Sequence, residues 1–508
     1  MSTYPPRFGL YAAIVFGSSA LVLVLELLAA RLIAPFVGVS LYSWTAIIGV
    51  ILAGLSLGNW LGGVWADRGA TARASGVVLL LAGIAALAVL WLLPLVAGPL
   101  QSAELSLAAT SFMLALILFF LPAALIGVIT PLLTTLALME SDRPGHIVGL
   151  MHALAALGSI VGTFATGFWL VQWLGSRNLV LASGLLLMLM ALPLLGGRRG
   201  YVAALLALTV GGWATWQYSY PDPCDHESNY FCIRVVDSTA DVPHGNARSL
   251  VLDHLLHSTN HEQDPELILA PYLHLMDELI SHQLRDAPGG AYFFAGGGAY
   301  TLPRTLLARD DSARVSVAEL DPVVTRVAAD QLHLDPTGME IVHLDARAAL
   351  NRLTTREGRR FDAVIGDVFH DIAIPHHLLT REFSARIAAS LNPGGIYVMN
   401  VVDAFPDARL VKSLHRTLSS EFAEVEVWID QLPSEPTRVT YVLSARQANG
   451  PAMPDRMLSR HGLRRAWFKV TEPVLAVGTP LDEIPLLTDD HAPVERLLAQ
   501  LFLGREGR

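Results

Sequence analysis

Charge is scarce in this 508-residue chain: Asp, Glu, Lys and Arg together make up only 16% of it, and cysteine occurs twice. That shortage excludes an ordinary soluble composition, in which about a quarter of the residues are charged. Surplus positive charge is lacking too, since the formal net charge is −10. No nucleic-acid partner is expected on that account. What fills the gap is apolar: hydrophobic residues reach 53%, and the mean hydropathy is +0.46. Almost all of the excess lies before Tyr220. The chain therefore reads as a multispan membrane region followed by a soluble domain, and its length asks for at least two cores.

Seven apolar runs are long enough to cross a bilayer, at 8–33, 43–66, 76–97, 107–138, 147–174, 178–195 and 201–218. The first is too long for a cleavable signal peptide and is followed by further spans. The fourth holds Pro122 and Pro131 and is expected to be one tilted, kinked helix. Gly54, Gly58 and Gly62, and again Gly158 and Gly162, recur every four residues, a spacing that lets helices pack closely. Glu26 sits inside the first run and needs a polar partner or a wet cavity; Arg31, Asn59 and His152 are the candidates.

Orientation pulls two ways. With the N-terminus inside, Arg7, Arg68, Arg73, Arg143, Arg198 and Arg199 fall on the inner side, and Arg31 and Arg177 on the outer. The positive-inside rule favours that arrangement, which carries the soluble domain out. Cys224 and Cys232 follow the last span and read either as a pair formed in an oxidising compartment or as two ordinary thiols.

The soluble half turns on residues 291–321. A short apolar run at 291–295 stops at Gly296, Gly297 and Gly298, a helical segment follows, and a second run at 315–318 ends in Glu319. Glycines let backbone approach a ligand, the helix start offers free N–H groups, and an acid about 20 residues on can accept both hydroxyls of a ribose. Strands are expected at 230–236, 247–252, 340–344, 361–366, 396–401, 424–429 and 438–444, with helices at 265–284, 322–332, 346–354, 380–391 and 408–421. This alternation predicts a doubly wound, Rossmann-like α/β domain whose ligand lies at the carboxyl ends of its strands. Those ends carry the three glycines, Glu319, Asp345 with Ala346, and Asp367. Each acid alone could be a helix cap; together they suit an S-adenosyl compound, whose sulfonium favours negative surroundings. The expected domains are 1–219 (transmembrane), 220–264 (linker and small β unit), 265–450 (the α/β domain) and 451–508 (a C-terminal extension).

In order along the chain, AGGGAYTLPR at 295–304, AELD at 318–321, HLDAR at 343–347, IGDVFHD at 365–371, IPHHLLTREF at 374–383, LNPGGIYVMN at 391–400 and LLTDDHAPVE at 486–495 resemble the spermidine synthase family, specifically its membrane-fused bacterial branch. The resemblance implies an aminopropyltransferase in a bacterial inner membrane. Its co-substrate would be decarboxylated S-adenosylmethionine, its acceptor a diamine such as putrescine. Neither metal nor prosthetic group is implied, and a homodimer is. Glu319 would hold the ribose, Asp345 and Ala346 the adenine edge, and Asp367 would be the catalytic acid. His257 stands where the family usually has glutamine, Tyr272 matches a pocket tyrosine, and Asp371 could bind the far ammonium of a diamine. Such donors are made in the cytosol, which opposes the charge rule.

Three positions depart from the pattern. Ala299 and Tyr300 follow the glycines in place of an aspartate that contacts the aminopropyl amine, and Leu432 replaces a tyrosine. Arg304 could instead meet the carboxylate of intact S-adenosylmethionine, which would allow methyl transfer, or could be a helix-surface arginine. Asp489 and Asp490 could supply a replacement anion or cap a terminal helix. Alternatives to aminopropyl transfer are therefore an N-methyltransferase and a non-catalytic polyamine sensor or transporter.

Overall fold

The computed structural model describes residues 7–103, 105–219, 223–285, 287–368, 374–448 and 450–504. It divides into two compact units, Met1–Cys232 and Ile233–Arg508.

The first unit is helical: α1 (Phe8–Val37), α2 (Leu41–Asp67), α3 (Ala72–Gln101), α4 (Leu107–Met139), α5 (Pro144–Ala165), α6 (Val171–Leu195), α7 (Arg198–Leu206) and α8 (Gly212–Tyr218), then a short strand β1 (His226–Glu227). Among the described residues, five helical runs are long and apolar enough to cross a membrane. The last of these, Pro144–Leu195, has 52 residues, roughly 78 Å at 1.5 Å per residue and too long for one crossing. It breaks at Gly175, where φ is 74° and ψ 160°, so the runs expected at 147–174 and 178–195 are its two halves. The stretch expected at 201–218 is helical from Arg198 to Tyr218 through a π turn. Helix α4 is continuous across Pro122 and Pro131.

Hydroxyl caps start three of these helices. Ser40 and Ser43 form a reciprocal box at α2, while Thr71 and Ser106 accept from backbone N–H groups at α3 and α4. The four-residue glycine stripes are helix contacts. A side chain at Gly58 would collide with the Ala124 carbonyl of α4, and one at Gly158 or Gly162 with Phe16 or Ala20 of α1. Arg31 is not the partner of Glu26. Its guanidinium lies 3.6 Å from Glu227 and donates to the Ser228 and Asn229 carbonyls. Cys224 and Cys232 are joined by a disulfide.

The second unit opens with an antiparallel meander, β2 (Cys232–Asp237), β3 (Ala247–Leu252) and β4 (Leu255–His261). Helix α9 (Pro271–Leu284) leads into β5 (Ala291–Ala295), α10 (Thr301–Arg309), β6 (Arg314–Ala318), α11 (Pro322–Gln331), β7 (Met339–Val342), α12 (Ala346–Asn351) and β8 (Phe361–Gly366). There follow α13 (Arg381–Ser390), β9 (Leu391–Phe405), α14 (Arg409–Leu418), β10 (Glu424–Ile429), β11 (Thr437–Arg446), β12 (Arg456–Leu458) and β13 (Ala466–Lys469). One nine-stranded sheet results, in the order β12-β13-β10-β11-β9-β8-β5-β6-β7. Strands β7, β6, β5, β8 and β9 run parallel, and β10 to β13 are added antiparallel. Every residue of β5 is buried, as expected for a central parallel strand covered on both faces. Residues after 450 thus extend the sheet edge through β12 and β13.

Candidate active site

Chain order decides where the site lies. From β5 the chain winds outward through β6 and β7, then returns to β8 on the other side of β5, so a crevice opens between the carboxyl ends of β5 and β8. Gly296 closes β5 and Asp367 follows β8; Asp367 N–H donates to the Ala295 carbonyl at 2.9 Å, joining these two ends, and Gly296 N–H donates to the Ala318 carbonyl of β6 at 2.9 Å. Gly296 has φ 92°, and a side chain there would strike the Asp367 carbonyl. Only glycine fits such a crossing.

The turn is held from two sides. Glu319, at the end of β6, accepts from Gly297 N–H at 2.9 Å and from Asp321 N–H at 2.8 Å. Asn260 on β4 donates to the Ala299 carbonyl at 2.7 Å and accepts from the Thr301 hydroxyl at 2.6 Å. Burial raises the Glu319 carboxyl above its usual value, against the opposing pull of the Asp321 and Gly297 N–H groups.

His257, the three glycines, Ala299 and Asp367 bound a narrow cavity at this corner. The Asp367 carboxyl keeps some access to this cleft yet is ringed by protein. That desolvation pushes it up from 3.8 to about 7, with the nearby Asn400 and Tyr272 side chains opposing and the charge of Glu319 adding to the rise. The Tyr272 phenol donates to the His257 carbonyl at 2.9 Å and is kept protonated by burial and by Asp367. Burial pushes the His257 imidazole down to about 4, so it is neutral at pH 7. A carboxyl that can hold or release a proton near neutrality therefore stands between a phenol, an amide and a glycine turn.

Gly296, Gly297, Gly298, Glu319, Asp367, His257 and Tyr272 gather around this corner. Asp345 stands at the end of the next strand and caps α12, accepting from Arg347 and Ala348 N–H at 3.0 and 3.1 Å, with His377 Nε2 2.7 Å from its other oxygen. Ala346 is the first residue of that helix and is buried. Asp371 lies outside the described residues. Arg304 donates to the His261 carbonyl at 3.3 Å, so its head packs on β4. Asp489 is neither a helix cap nor a free anion: it forms a two-pronged pair with Arg347 at 2.6 and 2.7 Å and accepts from Thr380. The substitution at Ala299 is not offset by Tyr300, whose phenol bonds to Thr325 at 2.7 Å.

Sequence reasoning missed Asn260 and Asn400. The run LLHSTNH that forms β4 looks too polar for a buried strand, and Asn400 was only the last letter of a motif. Both are at most 3% exposed, a fact that only their partners explain.

Fold and site together define a Rossmann-like α/β domain with an acidic crevice at its switch point. No family model matches the chain. In sequence the chain is 31% identical over 165 residues to the polyamine aminopropyltransferase of Vibrio vulnificus, covering 32% of this chain and 53% of that protein. It is also 29% identical over 343 residues to the polyamine aminopropyltransferase of Corynebacterium efficiens, covering 59% of this chain and 62% of that protein. The chain thus spans little more than half the length of these relatives. Both of these relatives are named polyamine aminopropyltransferases, in line with the resemblance that the motifs carry. Among solved structures it is similar to a probable spermidine synthase from Corynebacterium glutamicum, with 19% identity, a TM-score of 0.44, and 54% of this chain and 99% of the other covered.

Proposed function

We propose that this chain is an integral membrane aminopropyltransferase that transfers the aminopropyl group of decarboxylated S-adenosylmethionine to a diamine such as putrescine. The carrying observation is Asp367, a carboxyl poised at about 7 against a glycine turn and a protonated tyrosine. In this reading the ribose lies on Glu319, the adenine edge on Asp345 and Ala346, and the sulfonium above Gly296 to Gly298. The amine lone pair attacks the methylene carbon next to sulfur. The carbon–sulfur bond breaks, sulfur keeps the electron pair, and neutral 5′-methylthioadenosine leaves. Asp367, ionised, accepts the proton that the amine must lose, with Tyr272 and Asn400 holding the carboxylate in place. In-line positioning supplies much of the remaining acceleration. A homodimer built through β2 to β4 belongs to the same reading, and sedimentation of the purified protein tests it.

Methyl transfer from intact S-adenosylmethionine is the second reading, favoured by Ala299 in place of an acid. By-products separate the two: purified protein given both donors with putrescine is expected to release 5′-methylthioadenosine, and S-adenosylhomocysteine alone would establish the second reading. Asp367→Asn is expected to lower kcat by about 10²- to 10⁴-fold, the usual contribution of a general base, with nucleoside affinity nearly unchanged. Unaltered turnover would remove Asp367 from this role.

A further inference from the structure

Beyond Tyr272 lies a second, larger cavity of about 380 Å³, whose walls include Trp428, Asp430, Arg438, Thr440 and Val442. Side chains alternate along a strand, so Val442, Thr440 and Arg438 of β11 share one face. Val442 pairs with Asn400 and Arg438 with Ala404. The wall therefore runs from the Asn400 end, beside Asp367, to Arg438, about 13 Å along the strand. Arg438 is exposed to this space and forms no hydrogen bond or ion pair among the described residues. Arg234 is close by: burial, then the charges of Arg438, His257 and Arg234, hold the His254 ring neutral. Among the described residues Asp430 is the one carboxylate of the lining; it accepts from Gln431 N–H at 2.7 Å and has Arg465 as a neighbouring charge.

A diamine lying along this wall would set its second ammonium against the Arg438 guanidinium. A carboxylate there would instead meet two parallel N–H donors. We infer that the far end of the acceptor cavity is an anion subsite built on Arg438, and that the acceptor is an amino acid of the ω-amino carboxylate class, attacking through its amine. The inference rests on the aminopropyltransferase reading and puts an amino acid in place of the diamine as its acceptor.

Matched pairs test it: 4-aminobutyrate against 1,4-diaminobutane, and 6-aminohexanoate against 1,6-diaminohexane. Each is titrated by calorimetry into full-length protein in detergent with 5′-methylthioadenosine present, and turnover is followed separately by mass spectrometry. At least one carboxylate is expected to bind tenfold or more tightly than its matched diamine. Arg438→Glu is expected to reverse that order and Arg438→Lys to keep part of it, with 5′-methylthioadenosine affinity unchanged in both as the sign of an intact fold. Diamines that bind as tightly as the carboxylates, or an order unchanged by Arg438→Glu, would overturn the subsite. Failure to release 5′-methylthioadenosine with any acceptor would instead overturn aminopropyl transfer, and leaves the affinity order to judge the subsite.

Discussion

Asp367 owes its proposed chemistry to its neighbours. Burial raises it and Asn400 lowers it, so the two set the pH at which the carboxylate becomes available. The rate, as kcat/KM, is expected to rise with pH through about 7. Asn400→Leu should move that rising limb to higher pH, because the lost amide had favoured the charged form; a pH–rate profile that stays in place would contradict this. The same burial costs stability. A carboxyl whose folded value lies above its unfolded value stabilises the fold at low pH and loses that contribution as pH climbs from about 4 to about 7. Asp367→Asn should therefore melt together with the parent at pH 4 and above it at pH 8. The gap is at most about 4 kcal/mol and less for the access the carboxyl keeps. Calorimetric melts at the two pH values check the sign.

Helices and strands show how partners override local pattern. In the first unit, α2 meets α4 across Gly58, with the Ala124 carbonyl where a side chain would go, whereas Gly63 faces open space. Gly58→Val is expected to cost several kcal/mol through overpacking and to lower the melting temperature in detergent, while Gly63→Ala should leave it unchanged. Equal effects of the two would mean that the stripe is not a packing seam. In the second unit, β4 is a strand because Ser258, Thr259, Asn260 and His261 are all buried among partners far away in sequence. Hydrophobic periodicity cannot reveal a strand whose buried face is polar. Asn260→Ala should leave the Ala299 carbonyl unpaired and loosen the glycine turn, weakening nucleoside binding about tenfold by calorimetry at a cost of roughly 1–3 kcal/mol.

For the chain as a whole the open question is the side of the membrane. Arginine counts and the Cys224–Cys232 disulfide both favour an oxidising exterior for the segment after the last span. After treatment of intact cells with a membrane-impermeant reductant, an impermeant maleimide is expected to label both cysteines. Labelling only after lysis would place the segment inside, where the sulfonium donor is made.

Much of this protein was legible before any coordinates. Apolar runs, glycine stripes and the alternation of strands with helices are local patterns, and each element forms where its own residues dictate a period, a cap or a turn. Four of the strand ends could even be listed in order, because a parallel sheet puts its loops after the strands. Long-range pairing settled the rest: that β5 and β8 are neighbours, that Asn400 and Tyr272 close on Asp367, that Asp489 is consumed by Arg347, and that Arg438 stands along an open wall with no hydrogen bond or ion pair among the described residues. Those facts depend on which distant segments share a surface, and a carboxyl's charge or an arginine's surroundings are set by that surface and not by the letters on either side of it.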